Sequence, residues 1–336
     1  MQRRQPELAE PPRHAGDNVI STGSTLLDLA ISGGVYEEGG LPGGILVEIF
    51  GPSSTGKTVL LSEIAGGVQR RKGGIKFFDP EGRMNKQFAR MFGLEMDEIE
   101  YEQANTVSEV FSPLIDWEPD GKGPHGVFAD SLAALSTELE LEDSDKMGMR
   151  RAKEFSEQLR KVCRLIAQRN ILMVCSNQVR QNLDAGKYGQ KWITPGGQAI
   201  GFYSSVRLRT SLKEKIKRER KVRGCEHTIV TGVEIEIEVF KNSVWSPYRK
   251  APVIIGYDYG IDDVKANLQY VKDHTGSKVY QIGDTKLSAS LENSAEDAES
   301  DGLVAKLKEE TIGIWKEVEA AFASSRRKRH HEEDPE

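Results

Sequence analysis

Residues 51–58 read Gly51-Pro52-Ser53-Ser54-Thr55-Gly56-Lys57-Thr58 and match the pattern GxxxxGK followed by Ser or Thr. They directly follow the apolar run Ile45–Phe50 and precede a helical pattern that begins at Val59. In such a loop, backbone N–H groups face the phosphates of a nucleotide, the lysine neutralises phosphate charge and the hydroxyl binds Mg²⁺. The segment is therefore predicted to bind a nucleoside triphosphate through Lys57 and Mg²⁺ through Thr58; a glycine-rich turn without a ligand is the alternative.

The rest of the chain from residue 20 to residue 257 alternates short apolar runs with helical patterns. This is typical of an α/β domain with a mainly parallel central sheet flanked by helices. The pattern Arg151–Gln168 predicts a helix that packs on the sheet, and the alternation in Val233–Phe240 predicts a strand near the sheet edge with one wetted acidic face. The predicted strands are Ile45–Phe50, Ile75–Asp79, Gly126–Asp130, Ile171–Ser176, Val206–Thr210, Val233–Phe240 and Val253–Tyr257.

The composition is typical of a globular protein, because 38% of the 336 residues are hydrophobic and 29% are charged. A net charge of −6 does not indicate nucleic-acid binding by bulk charge, so any site for a polyanion must be local. The chain has no run of 18 apolar residues and no apolar signal segment, so we expect a cytoplasmic protein without a membrane partner. The three cysteines are odd in number and far apart, which predicts reduced packing residues.

The domain organisation follows from shifts in composition along the chain. Residues 1–17 are rich in Pro, Arg and Glu and predict a mobile N-terminal arm, and residues 18–259 form the predicted core. Residues 260–323 predict a small α+β C-terminal domain with a flexible loop over Ser288–Asp301, and residues 324–336 a charged disordered tail.

Polar residues at the ends of other predicted strands indicate what the nucleotide site does. Asp130 ends a buried strand, where a carboxylate can hold the Mg²⁺ shell, although a helix cap is the alternative. Glu81 follows another strand and is a candidate general base that polarises a water molecule for attack on the γ-phosphate. Asn177 and Gln178 follow a third strand, where an amide can hydrogen-bond the γ-phosphate; ordinary strand-end polar residues are the alternative.

With these motifs together, the chain from about Ile20 to Asp263 resembles a RecA-type recombinase, a P-loop ATPase family that includes RecA and RadA proteins. The segments Ile20–Asp28 and Gly40–Glu48 resemble the approach to the family's phosphate loop, and Asp130–Leu135 resembles its magnesium strand. Glu81 falls on the catalytic glutamate and Gln178 on the γ-phosphate sensor. The resemblance thus implies a RecA-like ATPase core that uses ATP and Mg²⁺.

The resemblance also implies positions for nucleotide and DNA contacts. Phe88 falls beside the adenine, and Lys241 falls on the first of two lysines that reach the ATP of a neighbouring protomer, with Ser243 in place of the second. The segment Leu141–Arg150 lies where the first DNA-binding loop belongs, and Gln181–Gly197 where the second does. The implied DNA-binding residues are Met147, Gly148, Arg180, Lys187, Tyr188, Lys191, Trp192, Gly196 and Gly197.

The implied function is an ATP-dependent filament on single-stranded DNA that promotes pairing with a homologous duplex and strand exchange. Three features depart from the family: Ser243, an N-terminal arm without the long docking helix, and an abbreviated C-terminal domain. The alternatives are another DNA motor with a RecA core, such as a helicase or a repair accessory ATPase, and a nucleotide-gated DNA-binding scaffold with negligible turnover. A scaffold has no need of Glu81, which weighs against it.

Local composition also indicates DNA contact. Residues 207–223 contain nine Lys or Arg and two Glu, and the segment Gln181–Gly197 interleaves Lys187, Tyr188, Lys191 and Trp192. Basic residues with interleaved aromatic residues suit single-stranded DNA, since phosphates are neutralised and bases can stack. For both segments, a solvated loop or hairpin without DNA contact is the alternative.

Overall fold

The computed structural model describes residues 18–36, 39–120, 123–137, 147–181, 192–193 and 198–323. In chain order, the strands are β1 Val19–Ile20, β2 Leu41–Pro42, β3 Leu46–Gly51, β4 Ile75–Phe78, β5 Glu100–Glu102, β6 Gly126–Ala129, β7 Leu172–Gln178, β8 Arg180–Gln181, β9 Trp192–Ile193, β10 Val206–Val222, β11 Cys225–Asn242, β12 Lys250–Gly256, β13 Gly260–Ile261, β14 Gln281–Ile282 and β15 Thr285–Lys286. The α-helices are α1 Thr25–Ser32, α2 Lys57–Arg70, α3 Lys86–Met91, α4 Val107–Phe111, α5 Met147–Arg169, α6 Gln198–Tyr203, α7 Asp263–Thr275, α8 Leu291–Ser300 and α9 Val304–Ala321. Short 3₁₀ turns cover Met96–Glu98, Ser112–Ile115 and Leu132–Ala134.

Nine strands form one central sheet in the order β13-β12-β11-β10-β3-β7-β6-β4-β5. The pairs from β10 to β5 are parallel, and the pairs among β10, β11, β12 and β13 are antiparallel. The predicted fold class is confirmed: the protein is α/β, with a mainly parallel sheet flanked by helices. All seven predicted strands are present, because their apolar runs lie in the buried centre of the sheet.

Helix α5 forms the core on one face of the sheet. Phe155, Leu159, Val162 and Ile166 are buried against β3, β6 and β7, as their spacing predicts. The helix begins at Met147 rather than at Arg151, so the last four residues of the predicted first DNA-binding loop are helical. Residues 141–146 of that loop lie outside the described residues.

Strands β10 and β11 form an antiparallel hairpin that is much longer than the two predicted strands. Apolar residues of Val233–Phe240 face the core and glutamates alternate with them, which confirms the alternation. This strand, predicted near the sheet edge, is third from one edge of the nine-stranded sheet, since β12 and β13 lie beyond it. Cys225, at the start of β11, is exposed, so the prediction that all three cysteines are packing residues is wrong for this one.

The described chain divides into two compact units, one that ends at Ala266 and one that begins at Asn267. In the second unit, Leu307, Thr311 and Trp315 form the buried stripe of α9. The predicted flexible loop over Ser288–Asp301 is wrong, since Leu291–Ser300 is helical: Ser290 caps the helix, and the small residues Ser294, Ala295 and Ala298 are buried. The predicted boundary at residue 260 stays a prediction, and the N-terminal arm and C-terminal tail lie outside the described residues.

Within the described residues, none of the helices combines the length and the apolar character that a membrane span requires.

Candidate active site

The candidate residues come together because four parallel strands end at the same edge of the sheet. In the sheet order, β3, β7, β6 and β4 are consecutive neighbours. Gly51 at the end of β3 pairs with Gln178 at the end of β7, and Phe78 at the end of β4 pairs with Ala129 at the end of β6. Polar residues that follow these strands therefore face one crevice, the usual position for a ligand in an open α/β sheet.

The loop from Gly51 to Thr58 is fixed by close packing under its backbone. Gly56 has a φ of 73°, and an added Cβ there would lie 2.4 Å from Ile255 Cδ1. An added Cβ at Gly51 would lie 2.2 Å from Thr210 Oγ1. Thr55 Oγ1 lies 2.6 Å from Thr210 Oγ1, so strand β10 packs against the loop. Pro52, Ser53 and Ser54, by contrast, are exposed.

Lys57 is the cation of this loop. Its Nζ donates to the carbonyl oxygens of Gly51 at 3.2 Å and Pro52 at 2.7 Å. Burial lowers the pKa of Lys57 below its usual range, and the negative charges of Asp130 and Glu81 partly oppose that effect. A bound polyphosphate would raise the pKa of Lys57, as these carboxylates do. The ammonium group and the uncapped first turn of α2 thus fit the phosphates of a nucleotide.

Thr58 and Asp130 form the candidate Mg²⁺ ligands. Thr58 Oγ1 donates to Asp130 Oδ2 at 2.5 Å, and Ser176 Oγ donates to Asp130 Oδ1. Burial raises the pKa of Asp130, these two hydrogen bonds lower it, and Glu81 and Asp79 raise it further. A hydroxyl and a carboxylate are ligands that Mg²⁺ accepts while it keeps water and substrate oxygens, so the residues present fit this ion.

Glu81 lies at the centre of a small hydrogen-bonded cluster. Its Oε1 accepts hydrogen bonds from Ser131 Oγ at 2.9 Å and from Gln178 Nε2 at 3.2 Å. Its Oε2 forms an ion pair with Arg83 Nη1 at 2.6 Å, and the Arg83 side chain is 76% exposed. The structure therefore brings the candidate base and the candidate sensor into direct contact.

Asn177 does not face the crevice with Gln178. Its Nδ2 donates to the buried carboxylate of Glu48 at 3.0 Å, and its Oδ1 accepts from the backbone N–H of Gln178 at 3.0 Å. Alternate residues of a strand face opposite sides, so only one of the two amides can reach the phosphates. Of the two amides noted in the sequence, Gln178 is the candidate sensor.

Other predicted residues lie outside this cluster. Phe88 is half-buried, and its ring packs edge-on against Phe92 with centroids 4.6 Å apart. Lys241 Nζ donates to the carbonyl oxygens of Gly201 and Phe202 at 3.0 and 2.9 Å. Lys241 pairs in register with Arg207, which in turn pairs with Glu48, three residues before the phosphate loop. Lys241 thus lies two strands away from β3, and the described contacts of its Nζ are to α6 rather than to the phosphate loop.

The predicted DNA-binding residues are only partly described. Met147 and Gly148 form the first turn of α5. Arg180 pairs with Ile193, and Gln181 pairs with Trp192, in the short antiparallel pair β8 and β9. Lys187, Tyr188, Lys191, Gly196 and Gly197 lie outside the described residues.

Sequence reasoning missed three residues of the site. Ser131 binds Glu81, Ser176 binds Asp130, and Arg83 pairs with Glu81. Ser131 lies two residues beyond β6 and Ser176 lies two residues before the end of β7, and these positions near strand ends are the signal by which the two serines could have been found. Arg83 lies five residues beyond β4.

Comparison with known proteins places this geometry in a family. The family model described as the RecA N-terminal domain matches residues 11–262. A protein named Protein RecA from Thermus thermophilus is 33% identical over 296 residues, which cover 86% of this chain and 82% of that protein. Protein RecA from Borrelia hermsii (strain HS1 / DAH) is 31% identical over 294 residues, which cover 85% of this chain and 79% of that protein. The chain belongs to the RecA family.

Proposed function

We propose that this protein is a DNA-dependent ATPase that assembles as a filament on single-stranded DNA and promotes homologous pairing and strand exchange. The observation that carries the proposal is the contact between Glu81 and Gln178, 3.2 Å from Oε1 to Nε2. It joins a candidate general base to the strand that continues toward the predicted second DNA-binding loop. A phosphate-binding scaffold without turnover would not need this pair.

The hydrolytic step uses residues that follow the ends of three strands, β3, β4 and β6. Glu81 accepts a proton from a water molecule as the water oxygen bonds to the γ-phosphorus, and the bond from that phosphorus to the bridging oxygen of ADP breaks. Lys57 stabilises charge on the transferred phosphoryl group. Thr58 and Asp130 would hold Mg²⁺, which would neutralise negative charge on the phosphate oxygens.

In this proposal, the amide of Gln178 reports the presence of the γ-phosphate. It donates to Glu81 in the structure, and the same N–H group can donate instead to a γ-phosphate oxygen. Gln178 is the last residue of β7, and β8 follows after one residue. A change in its hydrogen bond is thereby passed to the base of the segment 182–191, so that the ATP state controls DNA affinity.

Self-association is supported by Lys241 and its surroundings. Because the described contacts of Lys241 Nζ are to α6 and not to the phosphate loop of its own protomer, a role at ATP is best explained by a neighbouring protomer. Phe202, whose carbonyl oxygen binds Lys241, is 76% exposed and is therefore accessible to a neighbouring protomer. Ser243 cannot supply a second cation; the candidate substitutes are Arg249 and Lys250, and Lys250 pairs with Glu236 at 2.7 Å.

One sample tests the proposal directly. ATP hydrolysis is measured with and without single-stranded DNA, and the same mixture is imaged by electron microscopy. We expect DNA-stimulated hydrolysis together with helical filaments. Rings in place of filaments would indicate a helicase-like motor, and binding of ATP and DNA without turnover would indicate a scaffold; either result contradicts the proposal.

Gln178→Ala is expected to uncouple the two sites. ATP still binds, because Lys57, Thr58 and Asp130 are unchanged, but the connection from the γ-phosphate to the loop is lost. Stimulation of hydrolysis by single-stranded DNA should fall by about fivefold or more, the usual lower range for coupling between sites. The control is Gln69→Ala, which removes a half-buried glutamine at the other end of α2 that hydrogen-bonds the backbone of Glu95. Full DNA stimulation in the Gln178 variant would remove this residue from the sensor role.

The second DNA contact that we propose is the basic ribbon, defined as residues 215–230 of the β10–β11 hairpin. Strand β10 pairs with β3 only over Val206–Arg209, and β11 pairs with β12 only over Gly232–Glu238, so the ribbon extends roughly 20 Å beyond the sheet. It carries six Lys or Arg and two Glu in a chain whose net charge is −6. A two-stranded basic ribbon of this kind suits a nucleic-acid backbone or groove.

Replacing four basic residues of the ribbon, Lys217, Arg218, Arg220 and Lys221, with alanine is expected to change the salt dependence of DNA binding. The plot of log affinity against log salt should flatten by about 0.7 for each lost contact to a single-strand phosphate. The control replaces four exposed lysines of the second unit, Lys278, Lys286, Lys308 and Lys316. Equal slopes for the two variants and the wild type would contradict the DNA contact and favour a solvated hairpin instead.

A further inference from the structure

A buried ion pair that takes no part in the proposed chemistry lies within the central sheet. Glu48 on β3 is fully buried, and its Oε2 accepts a hydrogen bond from Arg207 Nε on β10 at 2.6 Å. The Arg207 guanidinium also lies 4.5 Å from the ring centroid of Phe50. A buried carboxylate is unfavourable unless it is paired, whereas an apolar residue at this position would pack without that cost. The pair therefore calls for a functional explanation.

One oxygen of Glu48 connects the pair to the candidate active site. Oε1 accepts a hydrogen bond from Asn177 Nδ2 at 3.0 Å. Asn177 Oδ1 in turn accepts from the backbone N–H of Gln178 at 3.0 Å, and the Gln178 side chain donates to Glu81. Through Asn177, the carboxylate fixes the backbone that carries the candidate sensor.

Arg207 connects the same carboxylate to helix α6. An added Cβ at Gly201 would lie 3.0 Å from Arg207 Cζ, so glycine allows the guanidinium to lie directly against the helix. The carbonyl oxygens of Gly201 and Phe202 also bind Lys241. Helix α6 follows residues 194–197 in the chain, so it holds the C-terminal end of the predicted second DNA-binding loop, and β7 leads into the N-terminal end.

We propose that Glu48 and Arg207 are positioning residues that couple the nucleotide site to both ends of the segment 182–197, an inference that rests on the proposed function. One carboxylate holds Asn177 with one oxygen and Arg207 with the other. Hydrogen bonds weaken steeply with misalignment, so the carboxylate must turn when Asn177 moves, and its bond to Arg207 then changes too. When the Gln178 amide exchanges its hydrogen bond to Glu81 for one to the γ-phosphate, the contact of Arg207 with α6 therefore changes as well.

The test uses the full-length chain and the double variant Glu48→Gln with Arg207→Met. Replacing both partners of a buried ion pair commonly preserves stability, whereas removing one partner leaves an unpaired buried charge. A glutamine oxygen at position 48 can still accept the hydrogen bond from Asn177, so only the connection to α6 is cut. Thermal unfolding is measured first, and Arg207→Lys, which keeps the charge without the planar fork, serves as a second variant.

Hydrogen exchange with and without a slowly hydrolysed ATP analogue gives a readout that does not depend on DNA. In the wild type we expect the analogue to slow exchange at 177–181 and at 198–203. In the double variant the analogue should still slow exchange at 177–181 but no longer at 198–203. Arg207→Lys should show partial slowing of exchange at 198–203. Basal hydrolysis is unchanged, and the ratio of DNA-stimulated to basal hydrolysis falls by about fivefold or more.

A matched control removes a neighbouring ion pair that is more exposed than Glu48 and Arg207, by the changes Arg209→Met and Glu238→Gln. Arg209 is on the same strand, and its guanidinium also lies near an aromatic ring, 5.4 Å from the Phe240 centroid. This control should behave as the wild type. The inference is overturned if the analogue does not protect 198–203 in the wild type, or if the Glu48 and Arg207 variants retain that protection. Absence of DNA stimulation in the wild type would instead contradict the proposed function, while the exchange comparison still decides the coupling.

Discussion

Replacing Lys57 with alanine is expected to lower ATP turnover by about 100-fold or more, the usual effect of removing one preorganised group that stabilises transition-state charge. The hydrogen bonds of Nζ go to the carbonyl oxygens of Gly51 and Pro52. Those neutral partners leave the ammonium charge available to the phosphates. Turnover is measured at saturating ATP, with a separate binding titration to distinguish lost affinity from lost chemistry.

The structure indicates that this variant folds. Burial lowers the pKa of Lys57, which means that the surroundings disfavour its charged form before phosphate binds. Alanine removes that unfavourable burial, and both loop carbonyls keep another donor: the Val179 N–H for Gly51 at 3.4 Å and Thr55 Oγ1 for Pro52 at 2.8 Å. Lys57→Arg should bind some nucleotide but hydrolyse little, because a guanidinium keeps the charge without the compact geometry. Lys308→Ala, on the exposed surface of α9, is the control; wild-type turnover in Lys57→Ala would contradict the assignment.

The candidate site was predictable from the sequence because it is built from local signals. The glycine pattern of residues 51–58 identifies the phosphate loop without any knowledge of tertiary structure. Asp130, Glu81 and Gln178 follow apolar runs, and parallel strands bring such ends to one edge. What strand-end reasoning could not give is the direct contact from Gln178 to Glu81, since that depends on β4 and β7 lying on either side of β6.

Features that depend on pairing between distant segments were not predictable. The hairpin of β10 and β11 exceeds both predicted strands, because charged residues such as Lys217 and Glu219 carry no apolar alternation and are held only by pairing across the ribbon. Helix α8 was missed because its acidic sequence suggests a solvated loop, and only the small buried residues at Ser294, Ala295 and Ala298 show the packed face.

Glu48 illustrates the same limit at a single residue. In the sequence it is a lone acid within an apolar run, and nothing near it in the chain supplies a partner. Its partners Asn177 and Arg207 come from two flanking strands, 129 and 159 residues away along the chain. Sequence patterns report the periodicity of one element at a time, so a buried network between three strands becomes visible only once the register is known.

Glu81→Gln separates binding from chemistry more cleanly than any other change at this site. A glutamine oxygen can still accept from Ser131 and Gln178, which both bind Oε1. The amide nitrogen would then face Arg83, whose exposed side chain can turn to solvent. The variant therefore keeps the shape of the cluster and loses only the basic oxygen.

We expect Glu81→Gln to lower ATP hydrolysis by about 100-fold or more, within the usual contribution of a general base, while ATP binding is unchanged. Because ATP then persists, the ATP-bound state with high DNA affinity accumulates. DNA affinity measured with ATP should therefore be unchanged or higher. Glu102→Gln, at the end of the adjacent strand β5 and paired with Lys76, is a matched control that should hydrolyse ATP as the wild type does. A Glu81→Gln variant that binds DNA more weakly with ATP would show that this carboxylate supports the DNA-binding conformation rather than the attack of water.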